Sequence, residues 1–361
     1  MVLSPQSVTP TALWVVPVAA LGGVARHVLD VADVGLPGWH LVVLCPDGPL
    51  AERLRERNVA VLTGPFGPDA GALASVRFLR SQLKRLRPAV VHSHLAFADV
   101  VTAVASLGLP VRVVTTEHGI ADDDAVYHGS VWKSRVKAVM HHWRLKRADS
   151  VIAVAEATAA VMRRKWKPRR EIVVIPNGVD PEEVAARIGD RPPPQAGEGP
   201  RILSLSRLAP EKRIDVLLDA FARLLPERPG ATLTVAGEGP ERHALERQME
   251  RLRVRESVTF PGFLDSGDAM AHADVMVQLS GWENCSYTLL DATAAGIPAV
   301  ASDAGGNREI LPPEALVLGW DPETIARAVL RAEADGSAGQ FRWISRAQMA
   351  QRITEEYEAC R

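Results

Sequence analysis

The sequence predicts an α/β protein with two parallel-sheet domains, and three observations support this prediction. Apolar runs of strand length alternate with amphipathic segments of helix length along most of the 361 residues, as in parallel sheets joined by crossover helices. A proline- and glycine-rich stretch at 191–200 separates two such series. The two halves also differ in charge, since residues 1–170 have a net charge of +9 and residues 171–361 a net charge of −10.

Composition excludes several other classes of protein. Hydrophobic residues make up 47% of the chain and charged residues 24%, which is sufficient for two buried cores. The three cysteines are odd in number and far apart (Cys45, Cys285 and Cys360), so we expect a reducing compartment and neither a disulfide framework nor a cysteine zinc site. The apolar stretch 11–21 is interrupted by Pro17 and follows no basic segment, so we interpret it as a strand rather than a secretory signal.

The first half predicts a series of strands joined by helices. Apolar runs predict strands at 12–18, 40–45, 59–62, 89–92, 111–115, 151–154 and 172–175. Helical spacing predicts helices at 24–34, 50–57, 72–87 and 131–147. Gly22 and Gly23 precede the first helix, where glycine permits close backbone approach to a ligand and a helix N-terminus attracts anions.

Histidines follow two strands of this half. His92 and His94 lie at the end of the strand at 89–92, and His118 follows the strand at 111–115. Because open parallel sheets bind ligands at the carboxyl ends of their strands, we consider His118 a candidate site residue. The alternative is a histidine hydrogen-bonded to loop backbone. We interpret His92 and His94 as structural, and none of these histidines has the sequence spacing of a metal site.

Residues 131–147 form a basic, amphipathic segment with two interpretations. Trp132, Val136 and Trp143 recur at helical spacing, and the opposite face holds six cations: Lys133, Arg135, Lys137, Arg144, Lys146 and Arg147. A second basic cluster, which includes Trp166, follows at 163–170. Tryptophan beside cations suits an anionic membrane surface. The alternative is an ordinary helix whose aromatic face packs in the core.

The second half repeats the alternation and contains two charged loops. Strands are predicted at 201–206, 232–236, 257–260 and 275–279 and again from residue 299, and helices at 214–225, 241–253 and 341–357. Arg207 and Lys212 follow the first of these strands. Glu283 lies in the loop after the strand at 275–279, just before a helix that contains Asp291. Both loops therefore lie at predicted carboxyl ends of strands, where a helix N-terminus favours phosphate.

These residues resemble a known family. Glu283-x7-Asp291, followed by Ala-Ala-Gly-Ile-Pro and Asp-Ala-Gly-Gly, is similar to the donor-sugar motif of the retaining GT-B glycosyltransferases of family GT4. The similarity extends to Ser-Arg-Leu-Ala-Pro-Glu-Lys at 206–212 and to Thr-Glu-His-Gly at 116–119. It covers nearly the whole chain and is strongest at 201–311. Two departures are Asp291, where the family usually has Glu, and Asn284-Cys285, where it usually has a glycine-containing turn.

The resemblance implies the GT-B fold, in which two Rossmann-like domains face each other across a cleft. It implies an acceptor-binding domain at 1–185, a linker at 186–200 and a nucleotide-sugar-binding domain at 201–340. The remaining residues, 341–361, are expected to form a helix that crosses back onto the first domain.

The implied activity is retaining transfer of a sugar from a nucleotide diphosphate sugar, with UDP favoured, to an acceptor hydroxyl. The implied catalytic residues are His118, Arg207, Lys212 and Glu283, of which Arg207 and Lys212 would stabilise the leaving diphosphate. Glu283 would bind sugar hydroxyls and Asp291 the ribose. The implied donor-binding residues are Gly22, Gly23, Arg207, Lys212, Gly237, Glu238, Phe263, Glu283, Asn284, Cys285, Ser286, Tyr287, Thr288 and Asp291.

The resemblance also implies partners and a location. We expect a hydroxyl-bearing acceptor (a glycolipid, a saccharide or a small natural product), no required cofactor or metal ion, and no nucleic acid. We expect a cytoplasmic protein, with peripheral contact to an anionic membrane as the consequence of the basic segment. Two alternatives to transfer are a nucleotide-sugar epimerase of the same fold and an inactive subunit that only binds a partner.

Overall fold

The structure is a computed structural model that describes residues 9–120, 140–192, 199–336 and 341–360. The chain divides into two compact units, of which the first is Met1–Gly178 with Ile344–Arg361 and the second is Val179–Trp343. The division falls before the predicted boundary at residue 185. The reason is that a helix at Pro181–Ile188 packs on helices of the second unit.

The first unit contains a parallel sheet. Its described strands are β1 (Thr11–Val15), β2 (His40–Leu44), β3 (Ala60–Leu62), β4 (Val90–His94), β5 (Arg112–Glu117), β6 (Ser150–Ala153) and β7 (Ile172–Val174). Its described helices are α1 (Gly23–Val34), α2 (Pro49–Glu56), α3 (Ala72–Leu86), α4 (Leu95–Ala105), α5 (140–147) and α6 (Glu156–Trp166). The strand order is β3-β2-β1-β4-β5-β6-β7, so the order changes direction between β1 and β4. Such a switch point is where open α/β sheets bind ligands.

The second unit repeats this topology. Its helix α7 is Pro181–Ile188, and its described strands are β8 (Arg201–Leu205), β9 (Thr232–Ala236), β10 (Val258–Gly262), β11 (Val275–Gln278), β12 (Ala299–Ser302) and β13 (Leu316–Val317). Its further described helices are α8 (Ile214–Leu224), α9 (Arg242–Leu252), α10 (Ser266–Ala271), α11 (Tyr287–Ala294), α12 (Asn307–Ile310) and α13 (Pro322–Asp335). The strand order is β10-β9-β8-β11-β12-β13, which places the switch point between β8 and β11.

The predicted parallel sheets are confirmed, and burial explains why the strands are so apolar. Every strand pair in both sheets is parallel, and parallel sheets are covered by helices on both faces. In β1, for example, Leu13, Trp14 and Val15 are all fully buried. Consecutive side chains on opposite faces therefore both need apolar surroundings.

The last helix, α14 (Arg346–Ala359), belongs to the first unit. It begins five residues later than predicted, because Ser345 and Gln348 form a reciprocal capping box at its N-terminus. Tyr357 is buried on this helix, and its hydroxyl accepts a 2.8 Å hydrogen bond from the Trp14 indole of β1. The helix thus contributes to the core beneath the first sheet.

In the part of the chain that the structure describes, no helix has the length and apolar character needed to cross a bilayer.

Candidate functional site

Glu283 lies in the loop between β11 and α11 and is held by three donors. Its Oε2 accepts hydrogen bonds from Lys212 Nζ at 2.7 Å, from Ser280 Oγ at 3.2 Å and from Gln278 Nε2 at 3.3 Å. The side chains of Lys212 and Glu283 are 18% and 16% exposed, respectively. The carboxylate is therefore oriented by its neighbours while a ligand can still reach it.

Backbone contacts bring the two charged loops together. The amide of Gly281 donates to the carbonyl of Glu211 at 2.7 Å, and Glu211 lies in a 3-10 turn, Pro210–Lys212, that follows β8. On the other side, Gly305 has φ +53°, and a Cβ there would overlap the carbonyl oxygen of Glu283. Because β8 and β11 are neighbours at the switch point, residues 71 positions apart meet as an ion pair.

Arg207 follows the same strand and is far more exposed than Lys212. Its guanidinium is 70% exposed and donates a 2.6 Å hydrogen bond to the largely buried carboxylate of Glu211. Since a guanidinium carries five N–H donors, this bond orients Arg207 and leaves donors directed to solvent. The adjoining turn packs tightly, since a Cβ at Gly237 would overlap the carbonyl oxygen of Ser206.

The N-terminus of α11 completes this polar region. Ser286 is the N-cap residue, and its Oγ accepts from the amide of Leu289 at 3.3 Å and donates to Gln278 Oε1 at 2.7 Å. Gln278 in turn donates to Glu283. The first turn of α11, with the positive end of its helix dipole, is thereby fixed beside the acidic loop.

In the first unit, four histidines cluster at the switch point between β1 and β4. They are His27 on α1, His92 and His94 on β4, and His118 just after β5. His118 Nε2 lies 2.8 Å from His94 Nδ1. The two ring nitrogens of His92 are hydrogen-bonded to the hydroxyl groups of Tyr357 and Thr116. Burial lowers the pKa of His27 to about 4 and the pKa values of the other three well below their ordinary value. All four rings are therefore neutral at neutral pH.

A buried triad of polar side chains supports the end of β5. Arg144 on α5 forms ion pairs with Asp99 on α4 and with Glu117, the residue before His118. Asp99 also accepts hydrogen bonds from Ser93 and Thr115. Burial raises the pKa of Glu117 to about 8, and a hydrogen bond with the Gly119 backbone opposes this shift.

The predicted orientation of the basic helix is wrong at Arg144. The sequence analysis placed Arg144 on the exposed cationic face, but the guanidinium is buried. Conversely, Trp143 is 39% exposed rather than in the core, and Trp166 is buried with its ring stacked on His141 at a centroid distance of 4.2 Å. Trp132 and the other predicted positions before residue 140 lie outside the described residues.

Comparison with known proteins identifies the family. Residues 189–355 match the family described as "Glycosyl transferases group 1", and residues 21–183 match "Glycosyltransferase Family 4". The glycogen synthase of Mycobacterium tuberculosis is 31% identical over 391 aligned residues, which cover 96% of this chain and 90% of that protein. The chain belongs to the GT4 glycosyltransferases.

Other relatives and solved structures agree with this assignment. The 2-deoxystreptamine glucosyltransferase of Streptomyces kanamyceticus is 29% identical over 79% of this chain and 78% of its own length. Anabaena Alr3699/HepE, solved in complex with UDP and glucose, superposes with a TM-score of 0.76 at 22% identity and covers 97% of this chain and 100% of its own. The protein is therefore a glycosyltransferase with the GT-B fold.

The structure pairs the second acid of the family motif with an arginine. Asp291 on α11 is only 1% exposed, and its Oδ2 accepts a 2.6 Å hydrogen bond from Arg187 of α7. The shorter side chain of Asp291 is thus held against α7. Its contact with ribose remains a prediction.

The remaining predicted donor-binding residues of the glycosyltransferase lie in several environments. In the second unit, Phe263 is 79% exposed after β10, and Glu238 lies 3.7 Å from Arg242. Asn284 and Tyr287 are buried, whereas Cys285 and Thr288 are half-buried. Gly22 and Gly23 are exposed at the N-terminus of α1 in the first unit. The structure thus pairs Lys212 with Glu283 directly and links Ser286 to Glu283 through Gln278.

Three polar residues that position the site were not predicted from the sequence. Gln278 and Ser280 both hydrogen-bond Glu283, and Glu211 holds Arg207. A signal for Gln278 was present, because a polar residue ends the otherwise apolar β11. No comparable signal marks Glu211, whose role depends on a contact with the neighbouring loop.

Proposed function

We propose that this glycosyltransferase moves a hexose from a UDP-sugar to an acceptor hydroxyl with retention of the anomeric configuration. The observation that carries the proposal is the Lys212–Glu283 pair at the carboxyl ends of β8 and β11. An ammonium and a carboxylate that face each other in a partly exposed site can each turn to a ligand. Lys212 would take the diphosphate and Glu283 the sugar hydroxyls.

The positive groups around Glu283 can stabilise a departing nucleoside diphosphate. As the glycosidic bond breaks, the leaving diphosphate gains negative charge, which fixed cations and a helix N-terminus stabilise. Lys212, the exposed guanidinium of Arg207 and the first turn of α11 supply these groups. We propose that they make a metal ion unnecessary for transfer. The complex of Alr3699/HepE with UDP and glucose supports UDP as the nucleotide.

Retention is proposed without an enzyme nucleophile. In this mechanism the departing phosphate oxygen accepts the proton of the attacking hydroxyl on the same face of the sugar. Glu283 would then orient the sugar rather than attack it, which agrees with the three donors already held by its Oε2.

We propose an acceptor on a glycolipid, saccharide or small natural product, and a cytoplasmic location with peripheral membrane contact. Relatives include a glycogen synthase, a 2-deoxystreptamine glucosyltransferase and a phosphatidylinositol monomannoside mannosyltransferase.

The proposed membrane contact rests on exposed residues of the basic segments. These are Trp143 and the cations Arg163, Arg164, Lys167, Arg169 and Arg170. Co-sedimentation with liposomes that contain anionic lipid, compared with neutral liposomes, tests the membrane contact. We expect binding to anionic vesicles that weakens as salt screens the charges.

The donor is tested by thermal stabilisation followed by product analysis. UDP-, GDP- and dTDP-sugars are screened for a rise in Tm, because a ligand that binds the folded state stabilises it by mass action. The acceptor product of the best donor is then analysed by NMR for its anomeric configuration. A UDP-sugar that raises Tm and yields product with inverted configuration contradicts the proposed retention.

A pair of variants tests the role of Glu283. Glu283→Gln should fold normally and lose most transfer, because an amide offers one acceptor oxygen where the carboxylate offers two. The control is Glu256→Gln, an exposed acid of the same unit. Sugar isomerisation without acceptor would instead indicate an epimerase, and binding without any turnover an inactive subunit.

A further inference from the structure

Three histidines that are distant in the sequence converge in the first unit. His27, His94 and His118 each offer a ring nitrogen, and these three atoms lie within 4.8 Å of one another. The ring centroids are separated by 4.8 Å (His27–His118), 5.1 Å (His94–His118) and 5.7 Å (His27–His94). Three converging imidazoles are a ligand set that Zn²⁺ accepts, with a fourth position left open.

The hydrogen bonds leave ring nitrogens available for a ligand. His27 Nδ1 lies 3.1 Å from the Asn177 Oδ1 atom. Because this oxygen can only accept, the ring proton of His27 lies on Nδ1, and Nε2 carries a lone pair. Among the described residues, the buried Nε2 atoms of His27 and His94 have no hydrogen-bond partner. Buried polar atoms normally have one, so these two nitrogens are unusual.

We propose that His27, His94 and His118 form a binding site for a transition-metal dication of the Zn²⁺ class. Zn–N bonds of about 2.0–2.1 Å require the three nitrogens to approach to roughly 3.4 Å in tetrahedral geometry. Rotation of the rings brings them together, and the His94–His118 hydrogen bond is replaced by metal coordination. Asn177 orients His27 from the outside, as partners of metal-bound histidines commonly do.

The site has a consequence for activity that rests on the proposed function. If His118 approaches the sugar and the acceptor during transfer, a metal ion on its ring withdraws it from that role. The metal is then an inhibitor of a reaction that does not need it. Chelation should leave transfer unchanged or raise it, and added Zn²⁺ should lower it.

Metal binding is measured directly, without reference to activity. The full chain, treated with chelator and dialysed, is titrated with Co²⁺, whose visible absorption reports nitrogen coordination, and bound Zn²⁺ is counted by elemental analysis. We expect one ion per chain. His27→Gln and His94→Gln should weaken binding roughly 100-fold or more, and Asn177→Ala about 10–100-fold, as for outer partners of metal ligands. His40→Gln, at an exposed histidine of the same unit, should bind as the wild type does.

The binding measurements can overturn the metal site independently of the proposed function. Binding that is equally tight in wild type, His27→Gln and His94→Gln overturns the site, as does the absence of bound Co²⁺ in the wild type. Circular dichroism and Tm confirm that each variant is folded. If His27→Gln does not fold, the Asn177→Ala variant and the conservative His94→Asn variant supply the test. Metal binding without transfer from any donor overturns the proposed function alone, and transfer without metal binding overturns this inference alone.

Discussion

The two switch points of the molecule have the same topology and opposite electrostatics. Between β8 and β11, Lys212 and Glu283 are charged, partly exposed and paired with each other. Between β1 and β4, the histidines are neutral, and three of them (His27, His92 and His94) are buried. The nearby ion pair of Arg144 with Asp99 is buried as well, beside Glu117, whose pKa is raised to about 8 by burial. Similar strand orders thus present a charged surface in one unit and a neutral one in the other.

The difference indicates whether the ion pair of each region can replace one of its partners with a ligand. A partly exposed ion pair can exchange one partner for a ligand, because a charged ligand can reach the site and replace the lost charge. A buried triad cannot, since removal of one member leaves an uncompensated charge in a medium of low dielectric constant. We therefore expect charge changes to affect turnover in the second unit and folding in the first.

The largest expected effect is on the buried triad. Arg144→Met should lower the free energy of unfolding by about 3–5 kcal/mol, because Asp99 then lies buried without its cation. Urea denaturation measures the change. The matched control is Arg163→Met, which removes an exposed partner of Glu156 and should cost about 0.2–1 kcal/mol. Equal effects of the two substitutions would contradict the distinction between buried and exposed ion pairs.

The second prediction concerns Lys212. Lys212→Ala should reduce turnover on the order of 10²–10³-fold, by analogy with the loss of one preorganised charge contact in a transition state. The variant should stay folded, since Glu283 remains accessible to solvent. Steady-state kinetics with saturating donor measure the loss, and Lys84→Ala, at an exposed lysine, serves as the control. Wild-type turnover in Lys212→Ala would remove this residue from the site.

Acidification should lower the stability of the first unit, which contains the buried histidines. Unfolded histidine titrates near 6.5, whereas His27 in the folded protein has a pKa of about 4, and burial holds the pKa values of His92 and His94 well below 6.5. In this window these histidines bind more protons in the unfolded chain than in the folded protein, so their contribution to stability is lost as pH falls from 6.5 towards 4. Each buried ring contributes about 1.4 kcal/mol per pH unit. Denaturation curves across this range measure the slope.

The His27→Gln variant provides the check on that slope. Its stability should fall less steeply with acid than that of the wild type, by about 1.4 kcal/mol per pH unit. His40→Gln, in which the replaced ring is exposed, should keep the wild-type slope. Parallel curves for wild type and His27→Gln would show that the ring of His27 is protonated in the folded protein.

The smallest expected effect is at Arg207. Arg207→Lys keeps the charge but loses the planar fork that binds phosphate through two parallel bonds. We expect the KM for the donor to rise about tenfold, which corresponds to about 1.4 kcal/mol, with little change in Tm. Initial rates measured at a series of donor concentrations give this KM. A change in kcat as large as that of Lys212→Ala would indicate that Arg207 acts directly on the reacting phosphate.

Local patterns predicted most of the strands and the positions of the charged loops. The apolar runs at β1, β8 and β11 are visible because parallel strands are buried on both faces. Other elements were missed although their signals are present. Helix α13, for example, begins after the N-cap Asp321 with Pro322 in its first turn and ends at Gly336, which are ordinary start and stop signals.

The α/β class, the two series of strands and helices, and the motifs that contain Lys212 and Glu283 can all be predicted from the amino-acid pattern. The folded structure is needed to see which polar groups meet. Asp291 pairs with Arg187, Arg144 is buried rather than exposed, and His27 joins His94 and His118. The physical reason is that hydrophobic periodicity reports the burial of neighbouring residues along the chain. The order of strands in a sheet, by contrast, brings together side chains that lie tens of residues apart.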